Sequence, residues 1–413
     1  DFSKISDGFK PYAQGEEWSD TTFDSYATFR FDLDVPTAEE GFEYALCVNT
    51  NKYDGHNMQR PQMLLLVGDD PLCGLDSNHT SVSVSSIAGK GNKQINIYAF
   101  SGISKPGPYG RYVEMDNHDG VRLYVELQLV DKRIEEYYYN LSVPFMYLDF
   151  MDKSSGEYNK ILNALNDSLN LLDLRIPYSE EFYTGLDRAN EFLKNNLYGH
   201  TSPECGKATL VGHTHIDVAW LWRYEHTRNK AVRSFATEAA LLEKYPEHRF
   251  MSSQAALYNY VKEDNPKLYE TIKQLIKSGK WEAEGAMWVE PDMNLSSGES
   301  IIRQIMYGKR FFKEEFGVDS EILWLPDVFG YCAALPQILK KSDLKYFMTC
   351  KLPSNELNRF PYDTFIWRGI DGSGILSHCT TYVCSYNAQI ESGEIYTGWQ
   401  NYKQKDINDD ILI

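Results

Sequence analysis

The hydrophobic pattern changes period twice along the chain, and this limits the possible folds more than any single motif does. From Lys207 onward, short apolar runs alternate with amphipathic stretches. Ala208-Thr209-Leu210-Val211 predicts a strand, and a helix is expected from about Trp220 to Tyr245. Further strands are expected at Phe250–Ser253, Trp281–Ala286, Glu321–Leu325 and Tyr346–Thr349. Helices are expected at Asn265–Ser278, where Gly279 closes the last turn, at Ser297–Phe316 and at Pro336–Lys341. Strands alternating with helices imply a parallel sheet or barrel with helices outside. In such folds the chemistry gathers at the carboxyl ends of the strands.

The preceding residues follow other periods. From about Trp18 to Phe150 the chain reads as short strands separated by Gly, Asn, Asp and Pro clusters, which suggests an all-β sandwich. The bland role for this region is a scaffold; the sharper one is a sugar-binding module. Between Gly156 and Tyr198, Leu162, Leu165, Leu169 and Leu172, then Phe182, Leu186, Ala189 and Leu193, recur at helical spacing, with Pro177 dividing the stretch. The expected organisation is an α/β chain of three parts. These are an N-terminal β-sandwich (1–150), a helical connector (151–204) and a catalytic domain from 205 to 413, incomplete at its C-terminus.

A formal net charge of −18 disfavours phosphate backbones and anionic lipid, so neither nucleic acid nor a membrane surface is an expected partner. No long apolar run or charged-then-apolar leader is visible. The 7 cysteines are scattered and include no C-x-x-C pair, which reads as free thiols in a reducing, cytoplasmic compartment. Aromatic residues reach 14%, with 29 Tyr, a hint of sugar recognition as much as of core packing.

Three expected strand ends carry chemistry. The first runs into His213, His215 and Asp217, and alternate residues of an extended segment point the same way. At least two of the three can face one ion, and imidazole and carboxylate are ordinary zinc-type ligands. A polar hydrogen-bonded cluster is the alternative. The second end carries Trp288, Glu290 and Asp292 around Pro291. Trp288 is a candidate stacking wall for a sugar ring, or a core residue beside solvated acids. The third ends in Asp327, after Pro326 and before Gly330. A carboxylate there is costly unless paired or metal-bound, although a helix cap is also possible.

These segments resemble the α-mannosidases of glycoside hydrolase family 38, most closely the cytosolic and bacterial branch. The likeness rests on Gly212-His213-Thr214-His215-Ile216-Asp217-Val218-Ala219-Trp220, on Met287-Trp288-Val289-Glu290-Pro291-Asp292-Met293-Asn294, and on Trp324-Leu325-Pro326-Asp327-Val328-Phe329-Gly330-Tyr331. Cys350-Lys351-Leu352-Pro353 and Phe360-Pro361-Tyr362-Asp363 fit the same branch. The resemblance implies a (β/α) barrel-like glycosidase domain and one divalent metal, usually zinc, held by His215, Asp217 and Asp327. It makes Asp327 also the nucleophile of a retaining mechanism, lays Trp220 against the sugar and gives Asp292 and Lys351 supporting polar roles. His213 becomes a neighbour of the metal rather than a ligand. The implied substrates are α-mannoside glycans, and a homo-oligomer is expected of the full-length protein.

A further His ligand and the general acid are expected beyond residue 413, because the stretch from Asp406 to Ile413 stops without a turn or closing helix. The chain by itself is therefore expected to lack part of the machinery. Two rivals remain at this point. One is a metal-dependent deacetylase or phosphohydrolase, which also builds its site from His and Asp at strand ends. The other is a non-catalytic sugar-binding fragment.

Overall fold

The computed structural model describes residues 8–19, 25–50, 61–76, 79–102, 121–198, 206–220, 222–352, 357–358, 360–380, 388, 390–406 and 410–412. Among them the chain is mixed α/β. Seven strands come first: β1 (Tyr26–Leu33), β2 (Phe42–Asn49), β3 (Gln62–Val67), β4 (Asp70–Leu75), β5 (Ser81–Ser83), β6 (Lys93–Phe100) and β7 (Tyr124–Asp131). Three helices follow, α1 (Lys132–Tyr147), α2 (Gly156–Leu169) and α3 (Glu180–Asn196). Alternation begins with β8 (Lys207–Thr209), β9 (Gly212–His213), α4 (Tyr224–Lys244), β10 (Phe250–Ser252), α5 (Ala255–Asp264) and α6 (Pro266–Lys277). It continues through β11 (Trp281–Ala283), α7 (Gly298–Phe316), β12 (Ile322–Trp324), α8 (Leu335–Lys341) and β13 (Tyr346–Thr349). The last elements are β14 (Thr364–Arg368), β15 (Gly374–Cys379), α9 (Ser392–Asn401) and β16 (Asp410–Leu412).

These elements form two compact units. The first comprises Asp1–Val130, Gly212–Val289 and Tyr307–Asp319. It contains an antiparallel sheet in the order β1-β6-β3-β4 and a three-stranded sheet in the order β5-β2-β7. Strand β3 explains how this unit is layered. Its side chains alternate: Met63 and Leu65 join a core shared with Leu46, Val82 and Ile97, whereas Leu64 and Leu66 join a second core with Val232, Phe235 and Phe250. A strand covered on both faces must be apolar at every position, and Met63-Leu64-Leu65-Leu66 is. The second core also packs the parallel strands, ordered β11-β10-β9, with Phe250 in register with both Gly212 and Trp281. Its centre is aromatic. Trp281 Nε1 donates to the Tyr258 hydroxyl at 2.8 Å, and that hydroxyl donates to the Ser252 carbonyl at 2.9 Å.

The second unit comprises Asp131–Val211, Glu290–Met306 and Ser320–Ile413. Helices α1, α2 and α3 pack through Tyr137, Ile161, Leu165, Phe182, Leu186 and Leu193. Each starts at a side-chain cap, from Asp131, Ser155 and Ser179 respectively, which satisfies amides that the first turn leaves open. A separate sheet has the order β12-β13-β15-β14, parallel except for the antiparallel β14–β15 pair.

Most expected elements from residue 207 onward form within a few residues of their expected bounds. Two regions differ. The strand-like stretch up to Phe150 ends in helix α1, because Asp131 accepts from the amides of Arg133 and Ile134 and Ile134, Tyr137 and Leu141 then share one face. Helix α5 had no expected counterpart. Ala255, Ala256, Leu257, Tyr258, Tyr260 and Val261 are all buried, and its polar residues Asn259, Lys262, Glu263 and Asp264 come only after Tyr258, so the apolar run at its start shows no helical period.

Phe235 is 0% exposed, and its ring lies 5.1 Å from Tyr258 and 5.0 Å from Trp281. Phe235→Ala is expected to cost about 3–5 kcal/mol. Urea unfolding checks this as a lower midpoint at unchanged slope.

Candidate metal centre

In the first unit, β9 ends at His213 and the chain continues outside any strand or helix through His215 to Asp217. His215 Nε2 and Asp217 Oδ1 lie 3.4 Å apart, with side chains 7% and 30% exposed. Metal–ligand bonds of about 2.0–2.1 Å at tetrahedral angles put two donor atoms roughly 3.3 Å apart. The pair therefore fits two corners of one divalent coordination sphere, in both spacing and donor chemistry. His213 turns elsewhere, with Nε2 3.4 Å from Ser253 Oγ. Burial drives its pKa down to about 3, and repulsion from His215 adds to the effect, so the ring stays neutral.

Two buried side chains grip the backbone of this segment. Gln254, one residue past Ser253 at the end of β10, donates from Nε2 to the Ile216 carbonyl at 2.9 Å. Gln254 sits at φ 65°, a left-handed conformation that costs a non-glycine residue about 1–3 kcal/mol. Thr227, on the first turn of α4, donates from Oγ1 to the Asp217 carbonyl at 2.9 Å and accepts from Trp222 Nε1 at 2.9 Å. The Lys230 ammonium lies 4.5 Å from the centre of a Trp222 ring and donates to Gln62 Oε1 on β3 at 3.2 Å. Burial lowers the Lys230 pKa to about 7.

In the second unit, Asp327 follows β12 by three residues and pairs with Lys351 Nζ at 2.5 Å. A hydrogen-bonded relay holds this segment too. The Lys351 amide donates to Thr349 Oγ1 at 3.2 Å, Thr349 meets the Tyr331 hydroxyl, and Tyr331 donates to the Val328 carbonyl at 2.6 Å. Because the amide only donates and the carbonyl only accepts, Thr349 must donate to Tyr331. Asp292 supports its own loop, its Oδ1 accepting from the amides of Asn294 at 2.8 Å and Leu295 at 2.7 Å. Glu290 sits close enough to Tyr331 and Cys350 to raise the pKa of both, although burial is the larger cause for each.

Trp220 is 49% exposed and meets Trp222 edge-on at 5.5 Å, which leaves a ring face open for stacking. Trp288, by contrast, packs on Phe311 and belongs to the core. Sequence reasoning did not find Gln254, Thr227 or Tyr331. Polar residues directly after an apolar strand end were a usable signal for Gln254; nothing local marked Thr227. Cys47, Cys73, Cys332, Cys350 and Cys379 are free thiols, while Cys205 and Cys384 lie outside the described residues. A cavity of about 1460 Å³ in the first unit is lined elsewhere, by Tyr12, Trp18, Phe29, Arg30, Glu225 and Asp264 among others. No helix among the described residues is long and apolar enough to cross a membrane.

Residues 206–413 match the family described as "Glycosyl hydrolases family 38 N-terminal domain". The chain is similar to "Alpha-mannosidase G" of Dictyostelium discoideum, with 38% identity over 290 residues, 70% of this chain and 26% of that protein. It is also similar to "Alpha-mannosidase 2C1" of Homo sapiens, with 32% identity over 377 residues, 90% of this chain and 35% of that protein. The chain thus spans between 26% and 35% of the length of these relatives. A solved structure titled as an alpha-mannosidase from Enterococcus faecalis V583 aligns at TM-score 0.44 and 19% identity, over 50% of this chain and 24% of that one.

A His213 that stays neutral in the fold but titrates near its ordinary value when unfolded gives a signed pH dependence. Its contribution is fully present above pH 6.5 and is lost as pH falls from there toward 3. Thermal melts between pH 7 and 4 should therefore show a smaller loss in His213→Gln than in the wild type. An equal loss in both proteins would exclude the assignment.

Proposed function

Since the chain belongs to glycosyl hydrolase family 38, we propose that it is the front part of a metal-dependent retaining α-mannosidase acting on α-mannoside glycans. The observation that carries this reading is the His215–Asp217 pair, whose donor atoms lie at the separation of two ligands of one ion. The family likeness adds Asp327 as the third donor, so the proposed set is one imidazole and two carboxylates, ligand types that zinc accepts. When bound, such an ion would act as a Lewis acid and grip vicinal sugar hydroxyls.

The remaining steps belong to side chains of this chain. Lys351 holds the Asp327 carboxylate through its ion pair. Asp327 attacks the anomeric carbon as the bond to the leaving oxygen breaks, and water then releases the glycosyl group from the carboxylate. The exposed face of Trp220 offers a platform for the sugar ring. Asp292 keeps the neighbouring loop in shape, and His213 supports the ligand segment as a neutral neighbour. We assign the proton donor and a fourth ligand to parts of the full-length protein outside this chain.

The proposed architecture for 205–413 is a (β/α) barrel-like catalytic domain, after a β-sandwich over 1–150 and a helical connector over 151–204. A cytoplasmic homo-oligomer is the corresponding expectation for the whole protein. The sugar-binding rival is favoured only by the aromatic cavity beside Trp18. It requires mannose binding by this chain that disappears in Trp18→Ala and is indifferent to a chelator.

Full-length protein carrying Asp327→Asn should lose turnover of nitrophenyl α-mannoside by on the order of 10⁴-fold or more, and a chelator should silence the wild type. Undiminished turnover in that variant would remove the nucleophile assignment. Trp220→Ala is expected to raise KM by about tenfold with the metal content unchanged; loss of metal would make this Trp a structural residue instead.

A further inference from the structure

The ligand segment leaves β9 after a strand of only 2 residues, so little ladder hydrogen bonding fixes it. What holds it is a pair of side-chain donors. The Ile216 carbonyl belongs to the peptide plane just before the Asp217 Cα, and the Asp217 carbonyl to the plane just after it. Gln254 Nε2 takes the first at 2.9 Å and Thr227 Oγ1 takes the second at 2.9 Å. Peptide groups are rigid planes, so anchoring the two that flank one Cα fixes both of its soft dihedrals. The Asp217 carboxylate then has only its own side-chain rotation left.

We propose that Gln254 and Thr227 are positioning residues for metal binding, setting the Asp217 backbone so that its carboxylate and the His215 imidazole meet one divalent cation. This assignment rests on the metal reading of the same residues. Both side chains are sequestered, Gln254 at 3% and Thr227 at 0% exposure, so water competes little for either donor. The direction of the Thr227 bonds is unambiguous. Trp222 Nε1 only donates and the Asp217 carbonyl only accepts, so the hydroxyl proton must point at Asp217. Gln254 is aimed by a left-handed backbone that a glutamine adopts only under constraint. A purely structural role would leave no reason for both grips to fall on the planes around one ligand. They also come from different places, the first turn of α4 and the residue just before α5.

The test is the zinc affinity of the full-length protein, measured by competition with a chromophoric chelator, with thermal melting of the metal-free protein alongside. Gln254→Met and Thr227→Val should each weaken zinc binding about 10- to 100-fold, while Thr227→Ser, which keeps the hydroxyl, restores it. Asp217→Asn marks full loss. A structural role alone would lower the melting point and leave the affinity of the folded molecules unchanged. Affinities within about threefold of the wild type in both variants would overturn the assignment. If Thr227→Val does not fold, Gln254→Met decides it on the same criterion. A wild type that binds no zinc overturns the metal reading and this assignment together, whereas a wild type that binds beside unchanged variants overturns the assignment alone.

Discussion

Backbone carbonyls where a short strand ends are the constraint on which the rest of this structure depends. Inside a sheet a carbonyl is satisfied by its neighbour; past the last residue it must find another donor or remain costly to bury. Strands β9, β10, β11 and β12 are two or three residues long, so the residues that carry chemistry lie almost at once outside any ladder. The chain meets the need with side chains. Gln254 and Thr227 serve the carbonyls of Ile216 and Asp217, and Tyr331 serves that of Val328. The first two fix the peptide planes on either side of Asp217, and the third lies one residue past Asp327.

This division explains what was legible in the sequence. Helices α4, α6, α7 and α8 announced themselves, because each has one face on a core and one in water. Asn265 capping Leu268, and Gly279 at φ 75° closing α6, are local signals with local causes. Helix α5 was silent for the opposite reason. Its first turn is wholly buried and its polar residues come only after that turn, so no period is set where the helix begins. The strand-like reading beyond Asp131 failed because tertiary packing of Tyr137 against α2 and α3 outweighed the strand preference of an aromatic run.

The site divides along the same line. Lys351 came only from the family resemblance, but His215, Asp217 and Asp327 could be named in advance as candidates, because their side-chain chemistry at an expected strand end is the signal. Their supports could not be, because a threonine or glutamine becomes a clamp only through the carbonyl it meets. Thr227 lies 10 residues from the carbonyl it holds and Gln254 lies 38 away. Trp288 shows the converse case. Its type suited a sugar platform, but a neighbouring Phe311 and the adjacent core claimed it, while the more exposed Trp220 kept a face open.

The same device recurs in each unit on unrelated residues. In the first unit a Trp N–H orients a Thr hydroxyl, which holds the Asp217 carbonyl. In the second an amide orients the Thr349 hydroxyl, which orients Tyr331 toward the Val328 carbonyl one residue past Asp327. Both relays begin at a group that can only donate and end at one that can only accept, so neither has an alternative proton arrangement. A relay of this kind has one low-energy state, whereas a solvated loop has many. A ligand must be held to within about 0.5 Å to bind well, and a segment beyond the sheet lacks the ladder that would otherwise do so. Fixed-direction relays supply that precision.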